Sequence, residues 1–239
     1  DGCASVICSY ARDQIRTIVE MCLAIAGETS IPTGGRSLAA NIVSSIAGEN
    51  GGFFRKNSAV VQRYLQIAVQ MISDIDEDPE WEQGTFGDED ELLENDSIPH
   101  VVGITMVANL ADALHAAVYK PATQLIMACN QSPDWKVRRA VYVLISHISE
   151  GCKKQVEGDL KTITNMMLNG LKDPHPRVVF VALQSIAYVS VALSGTFQKK
   201  CGSDVLQGIL QLVQKNPCLR IQAIAASCVG QFCSCEMIS

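Results

Sequence analysis

The feature that most limits the fold of this chain is a short proline-centred segment that occurs three times. The prolines are Pro133, Pro174 and Pro217, and consecutive copies lie 41 and 43 residues apart. In each copy two variable residues follow the proline, then a basic residue, then a β-branched apolar residue. A period of about forty residues is typical of HEAT and armadillo arrays, in which each unit is a pair of packed helices.

Amphipathic stretches on both sides of each proline have the spacing of helices. A stripe before Pro174 runs through Leu160, Ile163, Met167 and Leu171, and these residues share one helical face. Further helices are predicted at 4–26, 36–47, 58–72, 105–117 and 119–130. The sequence therefore predicts an all-α HEAT-repeat solenoid of about five helical hairpins, with residues 1–239 forming one solenoid segment.

The formal net charge of −6 is distributed very unevenly along the chain. Twelve acids and no Lys or Arg fall between Asp74 and Asp96, which leaves 13 acids against 19 bases elsewhere, a balance of +6. The acidic segment separates the predicted helices at 58–72 and 105–117. We therefore expect an acidic insertion loop at residues 74–100, within the second repeat. The acidic balance and the scattered bases disfavour nucleic-acid binding.

Metal and disulfide chemistry have little support in the sequence. No secretory signal is visible at residues 1–27, so the ten cysteines are interpreted as buried thiols in a reducing compartment. The cluster of Cys228, Cys233 and Cys235 lacks histidines at zinc-site spacing. The alternating acids at 74, 76 and 78 lack the glycine and the distant glutamate of a calcium loop. We predict no metal and no cofactor.

Catalytic and membrane-spanning roles are also disfavoured. The chain has no G-x-S-x-G, P-loop or H-E-x-x-H motif, and its four histidines are scattered, so no catalytic residue is predicted. The most apolar stretch, 178–193, has sixteen residues and includes polar side chains, which is too short for a membrane span. A buried helix is expected there.

Several runs along the chain together resemble one protein family. They are MISDIDEDPEW at 71–81, the run at 134–152 that begins DWK and ends EGC, LKDPHPRV at 171–178, FQKK at 197–200 and RIQA at 220–223. In this order they resemble importin beta-3 proteins, which are nuclear import receptors of the karyopherin-β family. Members of that family are several times longer, so the chain resembles an internal HEAT-repeat fragment or a truncated, divergent copy. It departs from the family pattern at Val179, where arginine is usual, and near Phe180, where small residues are usual.

The resemblance implies a transport receptor that shuttles between cytoplasm and nucleus through the nuclear pore. Its expected partners are cargo proteins with basic import signals, the GTPase Ran and nucleoporins. The second helices of HEAT repeats line the inner face, where cargo binds, but no cargo residue can be assigned from the sequence. The runner-up interpretation is a HEAT scaffold of another kind, such as a phosphatase regulatory scaffold.

The resemblance also suggests roles for particular residues. The acids expected to contact a basic surface of Ran, or another basic partner, are Asp88, Glu89, Asp90, Glu91 and Glu94. A solvated loop without a partner is the alternative, because charge runs are commonly solvated. Trp81 either anchors the loop to the solenoid or stacks on a partner's Lys or Arg. The residues expected to have a structural role in the HEAT motif are Pro133, Trp135, Arg138, Asp173, Pro174, Pro176, Arg177 and Arg220.

Overall fold

The fold consists of short helices joined by tight turns. The computed structural model describes residues 2–10, 12–81 and 98–234, and these contain thirteen α-helices, one 3-10 helix at Arg12–Gln14 and no strand. The helices are α1 (Gly2–Tyr10), α2 (Ile15–Gly27), α3 (Thr33–Glu49), α4 (Gly51–Lys56), α5 (Ser58–Ile72), α6 (Pro99–Leu114), α7 (Ala116–Cys129), α8 (Trp135–Gly151), α9 (Lys153–Gly158), α10 (Leu160–Gly170), α11 (Pro176–Ala192), α12 (Thr196–Lys215) and α13 (Leu219–Ser234).

Ten of these helices pair into five hairpins, α2–α3, α5–α6, α7–α8, α10–α11 and α12–α13. The second helices pack side by side in chain order, α3 on α6, α6 on α8, α8 on α11 and α11 on α13. We call this row the second-helix layer. The first helices form the other layer, and the short helices α4 and α9 connect successive hairpins. The predicted HEAT solenoid is confirmed.

Two of the helices predicted from the sequence depart most from the observed limits, whereas 36–47 and 119–130 miss by at most three residues at either end. The stretch 4–26 is interrupted, because the polar run Arg12–Gln14 forms a 3-10 turn between α1 and α2. The helix predicted at 105–117 begins at Pro99, since proline suits the first turn of a helix and need not break it. It ends at Leu114, where His115 has a positive φ of 48° and turns the chain into α7.

The most apolar stretch of the sequence is a buried helix, as expected. Eleven of the seventeen residues of α11 are buried, because the helix lies between α8, α10 and α13. One of its buried hydroxyls, that of Ser190, bonds within the helix and donates to the Ile186 carbonyl at 2.6 Å. Among the described residues, no helix has the length and apolar character needed to cross a membrane.

Close approach of the helix backbones depends on glycine at a few positions. At Gly103 in α6, a Cβ atom would lie 2.7 Å from the Ala68 carbonyl oxygen of α5. Gly230 in α13 has open space around the same position. The two glycines therefore have opposite roles, since one permits contact between helices and the other only lowers helix propensity.

This difference predicts opposite stability changes for two alanine substitutions. Gly103→Ala should lower the free energy of unfolding by about 2 kcal/mol, because α6 must move away from α5. The matched control, Gly230→Ala, should raise it by up to about 1 kcal/mol through helix propensity. Urea denaturation followed by circular dichroism measures both values. Equal effects of the two substitutions would contradict the close α5–α6 contact.

Candidate partner-binding surface

The proline turns start the second helices with side-chain caps. The Asp134 carboxylate accepts the Lys136 backbone N–H at 2.9 Å at the start of α8. At the start of α11, His175 Nδ1 accepts the Arg177 N–H at 3.3 Å, and Pro176 occupies the first helical position. Such caps satisfy the unpaired amides of the first turn, so the motif residues hold the beginnings of the second helices in place.

An ion pair links two successive proline turns. Arg138 donates to both carboxylate oxygens of Asp173, from Nε at 2.7 Å and from Nη2 at 2.9 Å. Its Nη1 also donates to the carbonyl oxygens of Ser132 and Pro133, each at 3.0 Å. Asp173 accepts the His175 amide N–H at 2.9 Å, so one carboxylate joins both turns. Arg138 and Asp173 were both predicted to have a structural role in the HEAT motif, but the ion pair between them was not predicted.

The lowered pKa of the Asp173 carboxyl shows that its hydrogen-bond partners stabilise the charged form. Burial raises that pKa, but the hydrogen bonds from Arg138 and from the His175 amide together outweigh burial, and the pKa lies below its ordinary value. The pair is not repeated in the next turn. Val179 holds the position of Arg138 in the following repeat, and Asn216 the position of Asp173. Because Val179 is not an arginine and Asn216 is not an aspartate, these positions cannot form the ion pair that joins the turns at Pro133 and Pro174.

A segment of irregular backbone crosses the starts of three second helices. We call residues 73–81, which leave the end of α5, the strap. The indole N–H of Trp135, in α8, donates to the Glu77 carboxylate at 2.9 Å. Arg177, in α11, donates from Nη1 to the Asp76 carbonyl at 2.9 Å. The strap thus connects the second hairpin with the third and the fourth.

Trp81 attaches the end of the strap to the solenoid. Its side chain is only 4 % exposed and packs edge-to-face on Phe180, with ring centroids 5.4 Å apart. The guanidinium of Arg220, in α13, lies 4.7 Å from the Trp81 ring centre, and that of Arg177 lies 5.8 Å from it. Trp81 therefore has the position of an anchor, and Phe180, a departure from the family pattern, supplies the ring on which it rests.

The aligned bases of the three repeats all contact a tryptophan ring. Lys136 lies 5.9 Å from the Trp135 ring centre, and Arg177 lies 5.3 Å from it. Arg177 thus contacts both tryptophans, and Arg220 contacts Trp81. His175 stacks flat on Trp135 at 3.8 Å, and burial lowers the pKa of its imidazole. Cations over aromatic faces are attracted electrostatically, so Arg177 and Arg220 join the strap to the repeats, whereas Lys136 contacts a ring of its own helix.

Two open grooves lie on the second-helix layer. The first, of about 680 Å³, has the strap acids Asp74, Asp76 and Asp78 on one wall and helices α6, α8 and α11 on the others. The second, of about 530 Å³, lies between α8, α11 and α13. We call them the strap groove and the α13 groove. Tyr188 lines both and is 47 % exposed, which makes it a candidate contact for a partner.

The groove residues follow a periodicity that the sequence analysis missed. Gln184, Tyr188 and Val191 line the α13 groove at helical spacing on α11, and Val191 is 56 % exposed. Their spacing of four and three within an otherwise buried helix is a signal of one open face. His147, in α8, faces Tyr188 with ring centroids 5.5 Å apart, and burial lowers the pKa of its imidazole.

Part of the predicted site lies outside the described residues. Asp88, Glu89, Asp90, Glu91 and Glu94 belong to this part, and so the full extent of the 74–100 insertion stays a prediction. Its described beginning, the strap, does lie between α5 and α6 in the chain. In the described ranges, no three His, Cys, Asp or Glu side chains converge where they could hold a metal ion.

The stacked hairpins define the chain as a HEAT-repeat solenoid. A family model described as "IPO5-like, TPR repeats" matches residues 105–228, which is more than half of the chain. The chain belongs to this importin-5-like family.

Individual relatives agree with this assignment. Importin subunit beta-3 of Saccharomyces cerevisiae is 21 % identical over 182 residues, covering 74 % of this chain and 16 % of the relative. A crystal structure of Kap121p has a TM-score of 0.84 at 19 % identity, over 92 % of this chain and 22 % of the other. Kap121p bound to RanGTP gives the same values. The chain therefore spans between a sixth and a quarter of the length of these relatives.

The turn-to-turn ion pair predicts a pH-dependent loss of stability. Asp173→Asn should lower the free energy of unfolding by about 2 kcal/mol at neutral pH, because Arg138 loses its charged partner. The pKa of Asp173 is lowered by folding, so its contribution is present above the unfolded pKa. The difference from wild type should therefore begin to shrink as the pH falls below about 4, and it should vanish only below the lowered pKa of folded Asp173.

A matched control is the exposed pair of Glu157 and Lys200, joined at 3.2 Å. Glu157→Gln should change the free energy of unfolding by less than about 0.5 kcal/mol, since exposed pairs contribute little. Urea denaturation at a series of pH values measures both variants. A stability loss for Asp173→Asn that is the same at pH 3 and pH 7 would contradict the ionic role of the pair.

Proposed function

We propose that this chain is part of an importin-β type nuclear transport receptor. It acts by binding rather than by catalysis, and it carries cargo proteins with basic import signals on the second-helix layer. The observation that carries this proposal is the strap groove, an open surface on that layer with carboxylates along one wall. Membership of the importin-5-like family supports it.

The chemistry of the strap groove suits a lysine-rich segment. Asp74, Asp76 and Asp78 offer carboxylates to ammonium groups, and Tyr188 offers an apolar surface to the aliphatic part of a lysine side chain. Clustered carboxylates also attract a basic partner from a distance and raise its association rate. In solved structures, Kap121p, which has this fold, is bound to Pho4p and to the SUMO protease Ulp1p.

Regulation by Ran is the second part of the proposal. The carboxylates of Asp88, Glu89, Asp90, Glu91 and Glu94 would meet a basic surface of the GTPase. Kap121p has been solved bound to RanGTP and to Nup53p. By analogy, the receptor that contains this chain binds nucleoporins and shuttles between cytoplasm and nucleus.

Neutralising the five acids tests the proposal. A variant with Asp88, Glu89, Asp90, Glu91 and Glu94 changed to the corresponding amides should retain less than a tenth of the GTP-loaded Ran that wild type captures in a pull-down. A fluorescein-labelled lysine-rich peptide should bind the wild-type chain in an anisotropy titration.

The control variant removes the same charge from exposed positions on the described surface, Glu20, Glu28, Glu49, Glu157 and Asp204. It should capture Ran as wild type does, because it leaves the five loop acids unchanged. Equal loss in both variants would show that net charge alone matters. No capture of Ran and no peptide binding by wild type would contradict the proposed function.

A further inference from the structure

We propose that the strap occupies a peptide-binding seat from which it can be exchanged, and that the seat accepts a peptide in which acidic residues precede a tryptophan. The seat consists of Trp135, His175, Arg177, Phe180 and Arg220. Arg177 also lines the strap groove that we assign to basic cargo, but the other four residues do not. The inference does not rest on the proposed transport function.

The seat combines rings and guanidinium groups from three successive repeats. Trp135 and His175 form a flat stack at the starts of α8 and α11. Phe180 presents its ring to Trp81, and Arg177 and Arg220 lie over the faces of the strap tryptophan. A ligand of this surface needs an aromatic side chain for the cations and a carboxylate for the Trp135 N–H.

The strap itself shows how such a ligand binds. The Trp81 ring fills the space between Phe180 and Arg220, and four residues earlier the Glu77 carboxylate accepts the Trp135 N–H. Between them, the Asp76 carbonyl accepts from Arg177. Residues 73–81 contain five acids and no base, so their charge complements that of the two arginines. The recognised pattern is a glutamate followed by tryptophan at the fourth position.

Most of the strap is exposed, which makes exchange feasible. It has no regular secondary structure from Asp74 to Asp78, and of its side chains only Ile75 and Trp81 are buried. Residues 76–80 between these two anchors are exposed. Segments with few buried contacts open locally without unfolding the rest of the molecule. When the strap leaves, a matching segment of another protein can take its place on the same rings and cations.

A labelled peptide with the strap's own sequence, SDIDEDPEW, tests the exchange. In an anisotropy titration it should bind the Trp81→Ala variant of the whole chain at least tenfold more tightly than wild type, because wild type keeps its own tryptophan in the seat. The same peptide with its tryptophan changed to alanine should lose at least tenfold in affinity for the Trp81→Ala variant.

The matched control is Glu80→Ala, which changes an exposed strap residue and should bind the peptide as weakly as wild type. Equal affinity for wild type and Trp81→Ala would overturn the proposal, as would binding that does not need the peptide's tryptophan. Hydrogen exchange on the wild-type chain keeps the test decisive if Trp81→Ala does not fold. The amides of Asp74 and Trp81 should exchange at least tenfold faster than those in the middle of α8 and α11. Equally slow exchange would show that the strap does not leave its seat.

Discussion

The structure depends on one packing constraint, which is that a helical hairpin of this kind buries its apolar sides only against the neighbouring hairpins. The second helices α6, α8 and α11 each have another second helix on both sides. This is why α11 is apolar over most of its surface while its open face carries Gln184 and Tyr188. Within the α5–α6 hairpin the two helices are also near enough to exclude water, and Gly103 permits this close approach.

At the starts of the second helices, ion pairs and cation–π contacts add to the apolar packing. Asp173 ties two proline turns together through Arg138, and the motif bases Lys136, Arg177 and Arg220 contact the tryptophan rings of the strap and of α8. The aligned base of the repeat thus has a second role, because Arg177 and Arg220 also fasten the strap, which lies between α5 and α6 in the chain. The first charges of the acidic insertion thus lie along the second-helix layer, where a partner would meet them.

The solenoid could be predicted from the sequence because its signals are local. The proline spacing and the apolar periodicity of 160–171 each lie within one or two helices, and both predicted the hairpins correctly. Helix limits were harder to predict where a proline occurs, because proline can either break a helix or occupy its first turn. Pro99 starts α6.

The strap could not be predicted in the same way. Arg177 binds the Asp76 carbonyl across 101 positions of the chain, and no periodic pattern connects the two. Trp81 was recognised as a candidate anchor, but its neighbours Phe180 and Arg220 belong to two other repeats. The Arg138–Asp173 pair also joins different repeats. From the sequence alone, each of the two residues could pair with any of many oppositely charged residues.

A double-mutant cycle between Trp81→Ala and Arg220→Gln tests the central claim, that the strap is fastened across the repeats, most directly. The free energies of unfolding of wild type, both single variants and the double variant are measured by urea denaturation. We expect a coupling energy of about 1 kcal/mol, because each substitution removes the same cation–π contact. Effects that add to within about 0.3 kcal/mol would contradict it, since they would show that the two side chains do not interact.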